Sequence, residues 1–217
     1  MQSRMPRSQL KSFLAASHRM AAEGLLSCSS GNLSWRLPNG RMFITGTGTW
    51  LGRLTAAEVA MCRIADGQLL QGCRPSKEIG FHAGVLRARP DVNVVLHFQS
   101  PCATTLACSR RQPASYFVIL EVPYYVGPVA YVPFHPPGSA GLARAVVQSL
   151  RKHDLAILRN HGLVTCGTDV DDVVQKATFF ELACRIILGA GRNLRFLPSH
   201  GVADLLAERR TLRSKVV

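Results

Sequence analysis

The sequence predicts an α/β fold, with strands and helices interleaved around one core. Three observations carry this. Short apolar or β-branched runs at 42–45, 94–99 and 155–158 have strand length. Longer segments between them, such as 8–23 and 139–152, place apolar residues at helical spacing. The 217 residues, 47% of them hydrophobic, contain no repeat, low-complexity tract or linker. Residues 1–217 therefore read as a single domain with a sizeable core, closed by a basic C-terminal tail from about residue 203.

In chain order, 8–23 turns Leu10, Phe13, Leu14, Met20 and Ala21 toward one side, and Gly24 stops it. It is a packing helix with no chemistry of its own. Ser27-Cys28-Ser29-Ser30-Gly31-Asn32 is a small polar loop running into a strand. Its backbone N–H groups could nest an anion, although ordinary turns share this composition. Pro38-Asn39-Gly40 marks a hairpin. The returning strand, 42–45, enters a second hydroxyl-rich loop, Thr45-Gly46-Thr47-Gly48-Thr49. That Gly-x-Gly lacks the third glycine and the helix of a dinucleotide fingerprint.

Thr55 and Glu58 form a capping box that predicts a short helix through Cys62, and Asp66-Gly67 a tight turn. Pro75-Ser76-Lys77-Glu78 opens a helix to Arg89, with Ser76 as N-cap and Glu78 in the first turn, where an acid is ordinary in any protein. Ser100-Pro101 starts another over 103–108. Residues 117–122 and 126–132 read as strands, 139–152 as a helix, and 155–159 and 163–166 as strands flanking a turn. Thr168-Asp169-Val170-Asp171 caps a helix through Leu188.

The chemistry concentrates around 94–100. On a strand, His97 and Gln99 share a face and Phe98 points away. The turn Arg159-Asn160-His161-Gly162 delivers a second imidazole, and Glu78 supplies a carboxylate. Two histidines, an amide and an acid suffice for metal-assisted proton chemistry if they meet. Taken alone, His97 is more often a satisfied core residue than a ligand. His18, His82, His153 and His200 read as ordinary helix or tail residues; His82, one turn after Glu78, stands either in packing or behind the site.

The net charge of +13 reads first as a solvated basic face; an anionic small substrate would also benefit from the positive field, and charge alone does not separate the two. Nucleic-acid binding is not expected, because the arginines are dispersed and no basic helix or stacking motif appears. The tightest cluster, Arg209, Arg210, Arg213 and Lys215, reads as a solvated tail. Seven scattered cysteines with no C-x-x-C pair point to reduced thiols and a cytoplasmic location. No run has membrane-spanning length, and the basic N-terminus lacks the apolar stretch of a signal peptide.

The ordered motifs resemble the class II aldolase/adducin family. They are Ser30-Gly31-Asn32-Leu33-Ser34, Ile44-Thr45-Gly46-Thr47-Gly48, Pro75-Ser76-Lys77-Glu78 with Phe81-His82, Arg89-Pro90-Asp91-Val92 leading to His97, Ala103-Thr104, and Asn160-His161-Gly162-Leu163. The similarity spans about 8–190 and in motif is nearest to L-fuculose-1-phosphate aldolase. It implies a three-layer α/β/α sandwich with a mainly antiparallel central sheet, and a homotetramer with interface active sites. It further implies a divalent metal, usually zinc, at His97, Gln99 and His161, with Glu78 as the acid/base. The substrate phosphate would lie at Gly31, Asn32, Thr47, Gly48 and Ser76, with Lys77 adding a charged contact. The implied reaction is cleavage of a ketose 1-phosphate into dihydroxyacetone phosphate and an aldehyde through an enediolate. A sugar-phosphate dehydratase, decarboxylase or epimerase, or a non-catalytic adducin-like scaffold, stand as alternatives. Three departures bear on the choice: Gln99 replaces a ligand histidine, Lys77 replaces a small hydroxyl residue, and no tyrosine follows Tyr131 to fill the family's C-terminal tyrosine role. His135 is a lesser candidate for the ligand role at Gln99.

Overall fold

The computed structural model describes residues 5–214, with side chains as far as Thr211. One eight-stranded sheet organises them, in the order β4-β3-β2-β1-β5-β8-β7-β6. The strands are β1 (Asn32–Leu37), β2 (Arg41–Thr45), β3 (Val59–Arg63), β4 (Leu69–Gly72), β5 (Val94–Phe98), β6 (Val129–Val132), β7 (Leu155–Leu158) and β8 (Gly162–Gly167). Every pairing is antiparallel except β6 with β7.

Two helical layers cover the sheet, as the alternation of its side chains requires. Val94, Leu96 and Phe98 of β5 face α1 (Arg7–Ala22), α3 (Pro101–Cys108) and α5 (Val170–Ala190), burying Phe13, Leu106 and Phe180. Val95, with Ile44 and Val164, faces α2 (Ile79–Ala88) and α4 (Ala140–Leu150), burying Phe81, Leu86 and Val146. The expected α/β sandwich with a mainly antiparallel sheet is therefore what forms. Each such fully buried side chain contributes roughly 1.5–3 kcal/mol. Among the described residues, no helix is long and apolar enough to cross a membrane.

Four local expectations give way. The capping box is real, since Glu58 Oε2 accepts from Thr55 N at 2.9 Å and Oγ1 at 2.8 Å, but it closes only the 3₁₀ turn Ala56–Glu58. The predicted helix through Cys62 is β3 instead, because Val59–Arg63 pairs along its whole length with β2 and tertiary pairing outweighs a local cap. Residues 117–122 form no strand. Phe117, Val118 and Ile119 pack on the α1/α3/α5 core, and the chain then enters the π turn Val122–Val126, where Pro123 has no N–H for a ladder. Helix α2 begins at Ile79, which leaves Glu78 at the N-cap with its amide on Ser76 Oγ at 3.2 Å. Glu78 is buried there.

The basic tail is the fourth. Ser199–Ser214 forms α6, and Arg209 reaches from it to Asp154 Oδ2 at 2.5 Å, with its side chain only 12% exposed. A buried carboxylate holds this guanidinium out of solvent. Arg210 is exposed as expected, whereas the side chains of Arg213 and Lys215 lie outside the described residues.

Candidate active site

The cleft lies at one end of the sheet. Asn32 opens β1 directly opposite His97 near the end of β5, and His97 also pairs with Val164 of β8. His161 stands in the turn between β7 and β8, where Asn160 takes a left-handed conformation (φ 54°) that asparagine tolerates. The third loop is tied to the second: Ser76 N donates to Thr45 O, and Thr47 N to Arg74 O. Backbone crowding fixes two glycines. Gly31 has φ 75°, and a Cβ there would lie 2.5 Å from His97 O. A Cβ on Gly162 would lie 2.7 Å from Phe98 O and 3.1 Å from His97 Cε1.

Three groups converge. Glu78 Oε2 is 3.7 Å from His97 Nε2, and Glu78 Oε1 is 3.5 Å from His161 Nε2. One ligand atom from each lies within 4.8 Å of the others. His97 Nδ1 donates to Leu163 O at 2.8 Å, which puts its proton on Nδ1 and leaves a lone pair on Nε2 toward the cleft. Burial, with His97 alongside, pulls the His161 pKa below its ordinary value, and Lys77 adds to this; Glu78 opposes them. Neutral imidazoles are what a cation requires. Glu78 Oε1, although buried, accepts no hydrogen bond from the described residues. Two imidazole nitrogens and a carboxylate oxygen at this spacing fit a divalent cation.

All ten residues singled out in the sequence line one cleft of about 430 Å³. Gly31, Asn32, Thr47, Gly48 and Ser76 form its walls; Lys77 is exposed at it, and Glu78, His97, Gln99 and His161 close it. The Gln99 amide Nε2 donates to His161 O at 2.8 Å, so its oxygen is the group that remains to serve as an acceptor. His135 does not line the cleft, although Pro137 of the same loop does.

Asn32 lines the cleft with the phosphate-loop residues, and its carboxamide is engaged by Glu78 Oε2 and His82. Of the two places open to His82, packing or behind the site, the hydrogen bonds of its ring to Asn32 and Ser34 put it behind the site. The signal for it in the sequence is its position four residues after Glu78.

The profile of the family described as Class II Aldolase and Adducin N-terminal domain matches residues 11–188. The chain belongs to the class II aldolase and adducin family. It is 32% identical over 186 residues to 3-oxo-tetronate 4-phosphate decarboxylase of Escherichia coli K12, covering 84% of this chain and 87% of that one. It is 30% identical over 172 residues to L-fuculose phosphate aldolase of Methanococcus vannielii, covering 79% and 91%. Among solved structures it superposes on YgbL of Klebsiella pneumoniae, for which aldolase, epimerase and decarboxylase are all candidate activities. There the TM-score is 0.85 at 28% identity, over 93% of this chain and all of that one.

Proposed function

We propose that this class II aldolase relative is a metal-dependent lyase that breaks a C–C bond beside a phosphate-anchored ketone, and that its substrate is a 3-oxo acid phosphate such as 3-oxo-tetronate 4-phosphate. The observation that carries the reading is the convergence of Glu78, His97 and His161 in the cleft bounded by the two small-residue loops. A divalent cation such as zinc, held by His97 and His161 with Gln99 or Glu78 beside them, would polarise the ketone and take up developing negative charge.

The chain's own residues do the rest. Hydroxyls and N–H groups around Gly31, Thr47, Gly48 and Ser76 hold the phosphate, so binding energy remote from the scissile bond positions the reacting carbons. Loss of CO₂ from the carbon next to the ketone leaves its electron pair in an enediolate. One proton then closes the balance, giving dihydroxyacetone phosphate. Glu78 Oε1, the oxygen without a donor, is the atom placed to hold and deliver that proton.

Aldol cleavage of a ketose 1-phosphate gives the same enediolate with an aldehyde as leaving group, and is the second reading. Glu78 would first take the hydroxyl proton of the departing carbon. Lys77 favours decarboxylation, because a 3-oxo acid phosphate carries an anion at each end while the leaving end of a ketose phosphate is neutral. The similarity to the decarboxylases supports the same choice.

The test is purified protein loaded with zinc or manganese, incubated with 3-oxo-tetronate 4-phosphate and, separately, with L-fuculose 1-phosphate. CO₂ and dihydroxyacetone phosphate from the first, at a kcat/KM above that for the second, is the expected result. Lys77→Met is expected to raise KM for the 3-oxo acid about tenfold. Faster cleavage of the ketose phosphate makes it an aldolase; metal-loaded protein inert to both returns the scaffold reading. Light scattering tests the expected homotetramer.

A further inference from the structure

Behind Glu78 runs a chain of buried polar side chains that the proposed chemistry leaves unused. Ser34, two residues after Asn32 on β1, and His82, one turn after Glu78 on α2, are both fully buried. Ser34 Oγ lies 2.7 Å from His82 Nδ1, His82 Nε2 lies 2.5 Å from Asn32 Oδ1, and Asn32 Nδ2 donates to Glu78 Oε2 at 2.9 Å. Phe81 stacks on the His82 ring at 4.6 Å.

The direction of each link follows from the one before. A carboxylate oxygen only accepts, so Asn32 must turn its NH₂ toward Glu78. Its Oδ1 then faces His82 and needs a donor, which places a proton on His82 Nε2. Burial pushes the His82 pKa down to about 3, so the ring is neutral and Nδ1 accepts from the Ser34 hydroxyl. Each donor points toward Glu78.

We propose that His82 is a positioning residue for Glu78 that acts through Asn32. Without a donor at position 82, the Asn32 amide is free to flip and set Oδ1 against Glu78 Oε2. With it, Oε2 is pinned, and Oε1 is the oxygen left facing His161. The catalytic consequence rests on the function proposed above; the polarity of the chain does not.

The experiment compares His82→Leu, which removes the donor, with His82→Gln, whose amide keeps one. In His82→Leu, kcat is expected to fall on the order of 10- to 100-fold with KM changed little, and His82→Gln to recover most of the loss. Metal content should match wild type in both, because His97 and His161 keep their places and Glu78 keeps its carboxylate. A nitrogen-15 NMR spectrum of the metal-free wild-type protein should show His82 neutral and protonated on Nε2 at pH 6. Full kcat in a folded His82→Leu, no rescue by glutamine, or a proton on Nδ1 would each overturn the proposal. If the leucine variant does not fold, the tautomer still decides. A wild-type protein that turns over neither substrate sinks the functional reading alone, since the tautomer is measured without substrate.

Discussion

Strand β7 joins two buried groups of charges that could hardly differ more in how they are satisfied. Asp154, just before its first residue, is fully buried and meets Arg89 at 3.3 Å, Lys176 at 3.2 Å and Arg209 at 2.5 Å. Those cations have further partners in Asp91 and Asp172, so that among the described residues three carboxylates face three cations. His161, three residues beyond the other end, faces Glu78 in a cluster with no formal cation and with two buried atoms, Glu78 Oε1 and His161 Nδ1, that hydrogen-bond to no described residue. A network of paired charges of this kind fixes structure: it fastens α6 and α5 to the sheet. A buried acceptor left without a donor costs roughly 1–3 kcal/mol in the free protein, and such a cost is kept where a ligand removes it.

The largest separation between the two should come from their acids. Glu78→Gln is expected to lower kcat by on the order of 10³-fold while leaving the melting temperature of the metal-free protein unchanged or raised, because a neutral amide relieves the buried charge whose Oε1 has no donor among the described residues. Asp154→Ala should do the reverse. It removes the buried carboxylate that Arg89, Lys176 and Arg209 share and is expected to cost about 3–5 kcal/mol in urea unfolding, with metal content of the folded fraction intact. If Asp154→Ala lost metal, or Glu78→Gln lost comparable stability, the division into a fastening end and a reacting end would be wrong.

Acid should distinguish them next. His82 is held neutral to about pH 3 in the folded chain, whereas a free imidazole protonates near 6.5. Between those values the unfolded chain binds the extra proton, so stability is complete above about pH 6.5 and falls as pH drops. This residue alone contributes a loss of about 1.4 kcal/mol per pH unit across the window, and the lowered His161 acts in the same direction. Urea midpoints of metal-free protein at pH 7 and pH 5 measure it. Equal midpoints would mean that the buried imidazoles already charge in the fold.

The fastening end was the less legible of the two in the sequence. Arg209 sits in a run of arginines near the C-terminus, and nothing local marks which of them will find a buried Asp154 more than fifty residues away. Residues 117–122 have the composition of a strand, but composition does not say whether a neighbouring strand is there to pair with. The cleft was legible because its chemistry comes from short motifs whose order is informative, and all ten of the residues they named line it. What stayed hidden there was contact across elements. Asn32 and His82 come from β1 and α2, and only the packing of α2 on the sheet shows that the Asn32 amide serves Glu78.

The smallest expected effect, and the sharpest on the ligand set, concerns Gln99. Its amide nitrogen is held by His161 O, an arrangement that steers the carboxamide oxygen while tying the two cleft walls together. Zinc prefers imidazole to a carboxamide. If Gln99 stands in a ligand position, Gln99→His should tighten zinc about tenfold in a competition titration against a chromophoric chelator. If its function is instead to hold the His161 turn, the substitution removes that bond, and zinc affinity should stay level or fall. Gln99→Glu separates the two further: an added carboxylate ligand would tighten the metal, whereas the loss of the only donor to His161 O from this side chain would loosen the turn that carries the second imidazole.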